Sequence, residues 1–328
     1  MNKKKVLVIG GAGYIGSHTA LLLTEAGYKV VVYDNLSTGH AQAVLPPAHF
    51  ILGDLNEVDK LNQLMKEEQF TAIIHFAASI VVPESVSQPL KYYSNNSINT
   101  SKLIELADRH KIHHFIFSST AAVYGLPDKL PVKETSPVNP INPYGRSKLI
   151  SEWVLQDVAR TSSLSYIALR YFNVAGADPK GRLGQSTPKA THLIKVACQT
   201  ALGQQDMLPV YGDDYPTPDG TGIRDYIHVT DLAQAHLCAL VYLEHDNQSK
   251  ILNCGYGQGY SVKQIIESVE RISQTKIPTK VTSRRSGDPA ELIADPTELM
   301  TLLDWHPQYN NIDTIVRTAF SWEKQRTF

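Results

Sequence analysis

The sequence holds only three cysteines in 328 residues, Cys198, Cys238 and Cys254, and no two of them form a CxxC pair. That argues against a disulfide framework and a structural zinc site, and for a reducing compartment. Neither charge is in excess: 31 Lys and Arg balance 32 Asp and Glu, a formal net charge of −1. With no basic stripe, nothing marks a nucleic-acid or anionic-membrane partner. Long apolar runs are missing too, none approaching the roughly 18 residues of a membrane helix. The opening "MNKKKVLVIGGAG" has the lysines and apolar run of a signal peptide, but the run stops at Gly10-Gly11. A second run ends in Asp34 in good register, so the first is read as a β-strand. There is no internal repeat and no low-complexity tract. A cytoplasmic protein without a metal, nucleic-acid or membrane partner is the expectation.

What is present is alternation. The runs "KVLVIG" (5–10), "KVVVYD" (29–34), "HFILGD" (49–54), "TAIIHFA" (71–77), "HHFIFSS" (113–119) and "LSYIALRYF" (164–172) are short and β-branched. They lack strict polar alternation, as strands of a parallel sheet covered on both faces do. Between them lie helical patterns near 14–27, 57–68, 85–110 and 143–161. This predicts an α/β fold with a Rossmann-like, doubly wound parallel sheet. Beyond about residue 175, "GADPKGRLGQSTPKA" and "GDDYPTPDGTG" are Gly/Pro/Asp-rich loops between further helical patterns. The expected division is a dinucleotide-binding domain at 1–175 and a smaller, interleaved α/β substrate region at 176–328.

The stretch "VLVIGGAGYIGSHTA" sets Gly10, Gly11, Gly13 and Gly16 between a strand and a helix. Glycines there allow a tight turn and let backbone N–H groups approach a pyrophosphate on the helix N-terminus. A glycine turn that merely packs a helix on a strand is the alternative. Asp34, at the end of the second strand, decides between them: a carboxylate there accepts both ribose hydroxyls and repels a 2′-phosphate, which favours NAD over NADP. Asp54, ending the third strand, suits an adenine edge.

Downstream, "NPINPYGRSKLISEW" places Tyr144 and Lys148 four apart behind Pro143, a good first helical residue. Positions i and i+4 share one helix face. A free phenol, with a pKa near 10, is a poor base at neutral pH, but a neighbouring ammonium favours its phenolate. A surface tyrosine with a solvated lysine is the alternative. Together with the hydroxyls of "FSSTAAVYG" (117–125), the pair is read as a proton-transfer unit.

These residues resemble the extended short-chain dehydrogenase/reductase family, and within it the enzymes that invert C4 of UDP-hexoses. The likeness is carried by "GGAGYIGSH", "VVYDNLSTGH", "HFAA", Asn95-Asn96, "FSSTAAVYG", "NPYGRSK", "RYFNVAGA", "YGDDYPTPDGTGIRDYIHV" and "RRSGDPAELIAD", over nearly the full length. It implies NAD-dependent interconversion of UDP-glucose and UDP-galactose through a 4-keto sugar, in a homodimer formed by helices near 85–110 and 143–161. It implies an NAD set of Gly10, Gly13, Tyr14, Ile15, Gly16, Asp34, Asn35, Asp54, Leu55, Phe76, Ala77, Asn95, Ser118 and Phe172. Tyr144 would be the acid/base, Lys148 the ligand of the nicotinamide ribose, and Thr120 the hydroxyl on the sugar's O4. Asn173, His192, Leu193, Val210, Tyr211, Arg224, Arg285, Asp288 and Leu292 match positions for the UDP-sugar, with the roles of Arg284 and Arg285 open. Four positions depart from the pattern. Thr120 replaces a Ser, Ile80 a Lys near the cofactor, His192 an Asn, and Leu292 a Tyr or a small residue that limits room for an N-acetyl group.

A related 4,6-dehydratase needs a second acid/base pair to remove the C5 proton and release the C6 hydroxyl. Family dehydratases carry Asp-Glu directly after the Thr, where this chain has Ala121-Ala122. Epimerisation of another UDP-sugar (an N-acetylhexosamine, uronate or pentose) stays open, as does a non-catalytic NAD-binding regulator, which would have no use for Thr120, Tyr144 and Lys148.

Overall fold

The computed structural model describes residues 4–328 apart from Lys189, Ser286 and Thr327. Its main body is a sheet of seven parallel strands: β1 (Lys5–Ile9), β2 (Lys29–Asp34), β3 (His49–Leu52), β4 (Ala72–His75), β5 (His114–Thr120), β6 (Ser165–Tyr171) and β10 (Lys250–Cys254). They lie in the order β10-β6-β5-β4-β1-β2-β3. Successive residues of a strand point to opposite faces, and both faces are apolar. Val6, Val8, Val30, Val32 and Ile74 belong to one core with Leu23, Leu232 and Trp305. Leu7, Ile9, Val31, Ile73 and Phe115 belong to another with Leu61, Met65 and Leu103. The unbroken apolar runs of the sequence follow from this double covering. Helices α1 (Tyr14–Glu25) and α8 (Val229–Asp246) supply the first cover; α2 (Val58–Glu68), α5 (Asn99–Arg109) and α6 (Pro143–Ala159) supply the second.

The helical pattern at 85–110 is not one helix. It divides into α3 (Val82–Ser87), α4 (Pro89–Tyr92), a π-helical turn (Tyr93–Ile98) and α5. Pro89 has no N–H to continue α3 and pushes Gln88 out of helical geometry, to φ −131° and ψ 58°.

A smaller region follows. Strand β9 (Ile223–His228) pairs with β7 (Asn173–Ala175) and β13 (Glu291–Leu292) in parallel, and with β11 (Gly259–Ser261) antiparallel. Strands β8 (Leu208–Tyr211) and β12 (Thr279–Thr282) form a separate parallel pair. Helices α7 (Leu193–Ala201), α9 (Val262–Ser273) and α11 (Ile312–Gln325) pack on a core of Ile194, Cys198, Ile265, Val269, Ile315 and Val316. Strand β8 and the short α10 (Thr297–Leu303) carry no clear signal in the sequence. The chain runs from β6 through β7, β8 and β9, returns through α8 to place β10 beside β6, and only then adds β11 and β13 to the small sheet.

The order of the large sheet reverses at β1, which pairs with β2 on one side and β4 on the other. Such a switch point opens a crevice at the carboxyl ends of the strands. Gly10 occupies it with φ +77°, and a Cβ there would lie 2.5 Å from the Ala77 nitrogen. Gly27 also has positive φ, +91°, but its Cβ would meet nothing within 4 Å. Alanine at either site bears the left-handed backbone cost of about 1–2 kcal/mol; only Gly10→Ala adds a clash with main chain. Urea unfolding is expected to show Gly10→Ala as clearly the more destabilising, and equal losses would refute the steric argument.

Candidate functional site

A cavity of about 520 Å³ runs along the carboxyl ends of the central strands, within the range for ligand pockets. At one end lie Gly10, Gly13, Tyr14, Ile15, Gly16, Asp34, Asn35, Asp54 and Leu55. Gly13 caps α1 with no side-chain hydrogen bond. A Cβ on Gly13 would touch only the Gly10 carbonyl, at 3.4 Å. Its bare backbone therefore opens on the cavity at a helix N-terminus, which suits an anion. Asp34 is buried; its carboxylate accepts from the Ala12 N–H at 2.9 Å and the Leu36 N–H at 2.8 Å. Desolvation raises its pKa while these backbone donors oppose the rise. The same carboxylate thus ties the glycine loop to β2 and faces the cavity. Beside it, the Asn35 amide donates to Asp54 at 2.6 Å.

The middle of the cavity is the end of β5. Each polar group of Ser118-Ser119-Thr120 has a separate partner. The Ser118 hydroxyl bonds the Tyr171 phenol and its carbonyl accepts from Lys148 Nζ at 2.7 Å. Ser119 donates to Glu152, and Thr120 Oγ1 accepts from the Ala122 N–H at 3.1 Å. Ala121 and Ala122 form a 3₁₀ turn on which α6 is seated. Asn142 caps that helix by accepting from the Gly145 N–H at 2.9 Å. Gly145 is needed there, since its Cβ would lie 2.6 Å from the Ala122 carbonyl.

This seating brings Tyr144 and Thr120 to the cavity wall. Burial raises the Tyr144 pKa, and the neighbouring Thr120 hydroxyl opposes the rise. Lys148 is buried one layer behind, with Nζ 4.8 Å from the centre of the Phe117 ring. Desolvation lowers its pKa to about 7, against the pull of Glu152. Tyr124 is not part of the wall: its hydroxyl donates to Asn253 at 2.7 Å in the core.

Phe76, Ala77 and Asn95 also line the cavity, with Phe172, Asn173 and His192 towards its far end. Nδ1 of His192 is 2.7 Å from the Gln185 amide. Leu193 and His192 line an adjoining pocket of about 20 Å³ with Asn173 and Lys195. The other expected residues are not on the cavity wall. Ser118 and Lys148 stand behind it. Val210 is buried in β8, and Arg285 lies over the Tyr211 ring at 3.9 Å. Arg224 approaches Asp288 at 3.8 Å. Leu292 packs with Ala121, Val123, Phe172 and Ala294 in a small apolar cluster. The two adjacent arginines differ: Arg284 is committed to Asp214 at 2.7 Å and to the Tyr215 ring, whereas Arg285 makes no ion pair among the described residues.

Several wall residues carry no motif in the sequence: Ser79, Glu84, Lys91 and Gln185. Lys91 pairs with Glu84 at 2.7 Å, and Glu84 also accepts from Tyr92, whose ring meets Tyr144 edge-on. The Asn95-Asn96 pair is the signal that points to this wall, because Asn96 Oδ1 accepts from the Ser79 N–H at 2.8 Å. Ile80 lies on the wall, exposed. Among the described residues no group of three or more His, Cys, Asp or Glu is placed to hold a metal.

The start of α1 without a side-chain cap, the open backbone at Gly13 and the carboxylate ending β2 fit a dinucleotide such as NAD. Comparison with known proteins agrees. Residues 6–255 match the NAD dependent epimerase/dehydratase family. The chain is 49% identical over 320 residues to a UDP-glucose 4-epimerase of Azospirillum brasilense, covering 98% of this chain and 92% of that protein. The crystal structure of UDP-glucose 4-epimerase from Brucella ovis in complex with NAD superposes with a TM-score of 0.94 at 49% identity, over 97% of this chain and 98% of that one. The enzyme from Bifidobacterium longum in complex with NAD+ and UDP does so with a TM-score of 0.93 at 36% identity, over 98% and 99%. By sequence and by fold, the chain belongs to the NAD dependent epimerase/dehydratase family.

Proposed function

We propose that this protein is an isomerase that interconverts UDP-glucose and UDP-galactose with bound NAD. The observation that carries the reading is the pairing of Tyr144 with Thr120 on the cavity wall, followed by a turn that offers only Ala121 and Ala122. Tyr144 is the proton-transfer group beside Thr120, and the two side chains that follow Thr120 are methyls. That is enough to oxidise and re-reduce C4 and leaves dehydration without its second acid/base pair.

Bound NAD would supply the hydride acceptor and donor for the sugar's C4. Tyr144 takes the O4 proton, forming the 4-keto sugar, and later returns it. Its phenol must ionise first, which burial opposes, and the Lys148 ammonium one turn along α6 favours it. Thr120 bonds O4 and orients it towards Tyr144. Asp34 holds the adenosine ribose while Gly13 and the start of α1 hold the pyrophosphate. Arg285 and Arg224 clasp the substrate diphosphate, for which guanidinium forks are suited. His192, Leu193, Val210, Tyr211, Asp288 and Leu292 complete the nucleotide and sugar subsites. With the diphosphate anchored and the hexose loosely held, the keto sugar turns over and presents its other face.

In this reading residues 1–175 hold the cofactor and residues 176–328 close over the UDP-sugar, with α8 and β10 returning to the first body. The exposed Ile98 and Trp153, on the faces beside α5 and α6, support a two-fold homodimer through those helices. The three free cysteines suit the reducing cytoplasm, and no helix of the described residues is long and apolar enough to cross a membrane.

Purified protein is expected to convert UDP-galactose to UDP-glucose with no net redox change; no turnover, even with NAD supplied, would end the proposal. UDP-N-acetylgalactosamine assayed alongside reports whether Leu292 leaves room for the larger sugar. Tyr144→Phe should lower kcat by about 10²–10⁴-fold while NAD stays bound, and an unchanged rate would remove Tyr144 from its role. Asp34→Ala should weaken NAD binding by about tenfold or more, measured by titration of the ligand-free protein.

A further inference from the structure

Glu152 takes no part in the reaction above, yet it is fully buried on α6, one turn beyond Lys148 and two beyond Tyr144. Its Oε1 accepts from the Ser119 hydroxyl and from Arg170 Nε at 3.0 Å, and its Oε2 from Arg170 Nη2 at 2.6 Å. Arg170 also donates to the Tyr124 hydroxyl at 3.1 Å, and Tyr124 to Asn253 on β10. The network therefore ties α6, β5, β6 and β10 together directly behind the cavity. For stability alone such a pair is a poor choice, because apolar replacements of buried ion pairs are often neutral or stabilising.

The charges behind the wall suggest a second role. Among the described residues Lys148 has no ionic hydrogen-bond partner: its Nζ meets the Ser118 carbonyl and the Phe117 ring. The ionisable groups around it are Tyr144 on its own helix, His75 at the end of β4, and Tyr171 and Arg170 on β6. His75 is kept neutral by burial and by the Lys148 charge, and Tyr171 is held as the phenol by burial. None of these is a carboxylate, and the carboxylate whose charge acts on Lys148 is Glu152.

We propose that Glu152 is a positioning residue for proton transfer: it keeps the Lys148 ammonium charged behind Tyr144 while pinning the end of β5 through Ser119. This rests on the reading of Tyr144 and Lys148 as the proton-transfer unit. The Lys148 pKa, lowered to about 7 by desolvation, is supported by Glu152. A lysine loses its charge as pH rises through its pKa, so removing the carboxylate moves that loss to lower pH.

The test follows the Lys148 side chain in ligand-free, full-length protein by NMR of ¹³Cε-labelled lysine, assigned with Lys148→Met. In Glu152→Gln the Lys148 midpoint should fall by about one unit or more. In Glu152→Asp, which keeps the charge, it should stay near the wild-type value even if thermal stability drops. Should Glu152→Gln fail to fold, the double variant Glu152→Gln/Arg170→Gln, which leaves no lone buried pair member, should show a smaller fall in the same direction, because a neighbouring cation is lost as well. The alkaline limb of the kcat profile should move towards acid in the Gln variants and not in Asp. An unchanged Lys148 midpoint in the Gln variants, or equal shifts in Gln and Asp, would overturn the proposal. Because the NMR readout needs no turnover, a wild-type protein that fails to epimerise UDP-galactose would sink the functional reading separately.

Discussion

The seating of α6 on the end of β5 is the constraint on which the rest of the site depends. Tyr144 and Lys148 reach their places only because the first turn of that helix lies against the Ala121-Ala122 turn, so close that residue 145 has no room for a side chain. Asn142 satisfies the Gly145 N–H and Pro143 has none to satisfy, so the helix can start against protein without an orphaned donor at those positions. The small side chains at 121 and 122 therefore serve two ends. They let the helix approach, and they leave the space beside Thr120 without a proton-transfer group.

The cofactor end is arranged on the same economical principle. Asp34 holds the glycine loop through the Ala12 N–H and presents its charge to the cavity from that position. Its pKa is raised by desolvation, so the carboxylate is under-solvated in the free protein. Ribose hydroxyls arriving there would supply donors that the burial has removed. Lys91 is the only lysine or arginine among the described residues on the cavity wall, and it is paired with Glu84. Backbone N–H groups and the start of α1 must carry much of the anion binding at the glycine end, which is why glycines mark that part of the sequence so clearly.

Legibility in the sequence followed the locality of the physics. The strands of the large sheet could be read because double-sided burial leaves unbroken apolar runs, and Gly10, Asp34, Tyr144 and Lys148 because their spacing within one strand–helix unit dictates their geometry. The 85–110 pattern read as one helix because Pro89 and the π-helical turn interrupt the backbone without interrupting apolar spacing. Contacts between distant segments left no such trace. Nothing near Arg170 announces that it reaches Glu152, and nothing near Asp214 that it takes Arg284 away from Arg285. Tyr171 falls within the "RYFNVAGA" stretch, but nothing in that stretch shows that its hydroxyl bonds Ser118 at the cavity. Leu292 is a case of its own: its position in the chain matches a sugar subsite, and in the fold it packs in a small apolar cluster with Ala121 and Phe172.

The late return of the chain to the large sheet has a consequence for biogenesis. Strand β6 ends at Tyr171, but the strand that covers its outer edge is completed at Cys254, some 80 residues later. At ribosomal rates of about 5–20 residues per second, that edge waits roughly 4–16 seconds for its partner. Its sequence, SYIALRY, is apolar and β-prone, the kind of open edge to which other nascent chains add strands. The most exposed moment in the life of this protein thus precedes its first encounter with a substrate, and falls on the strand next to its reaction centre.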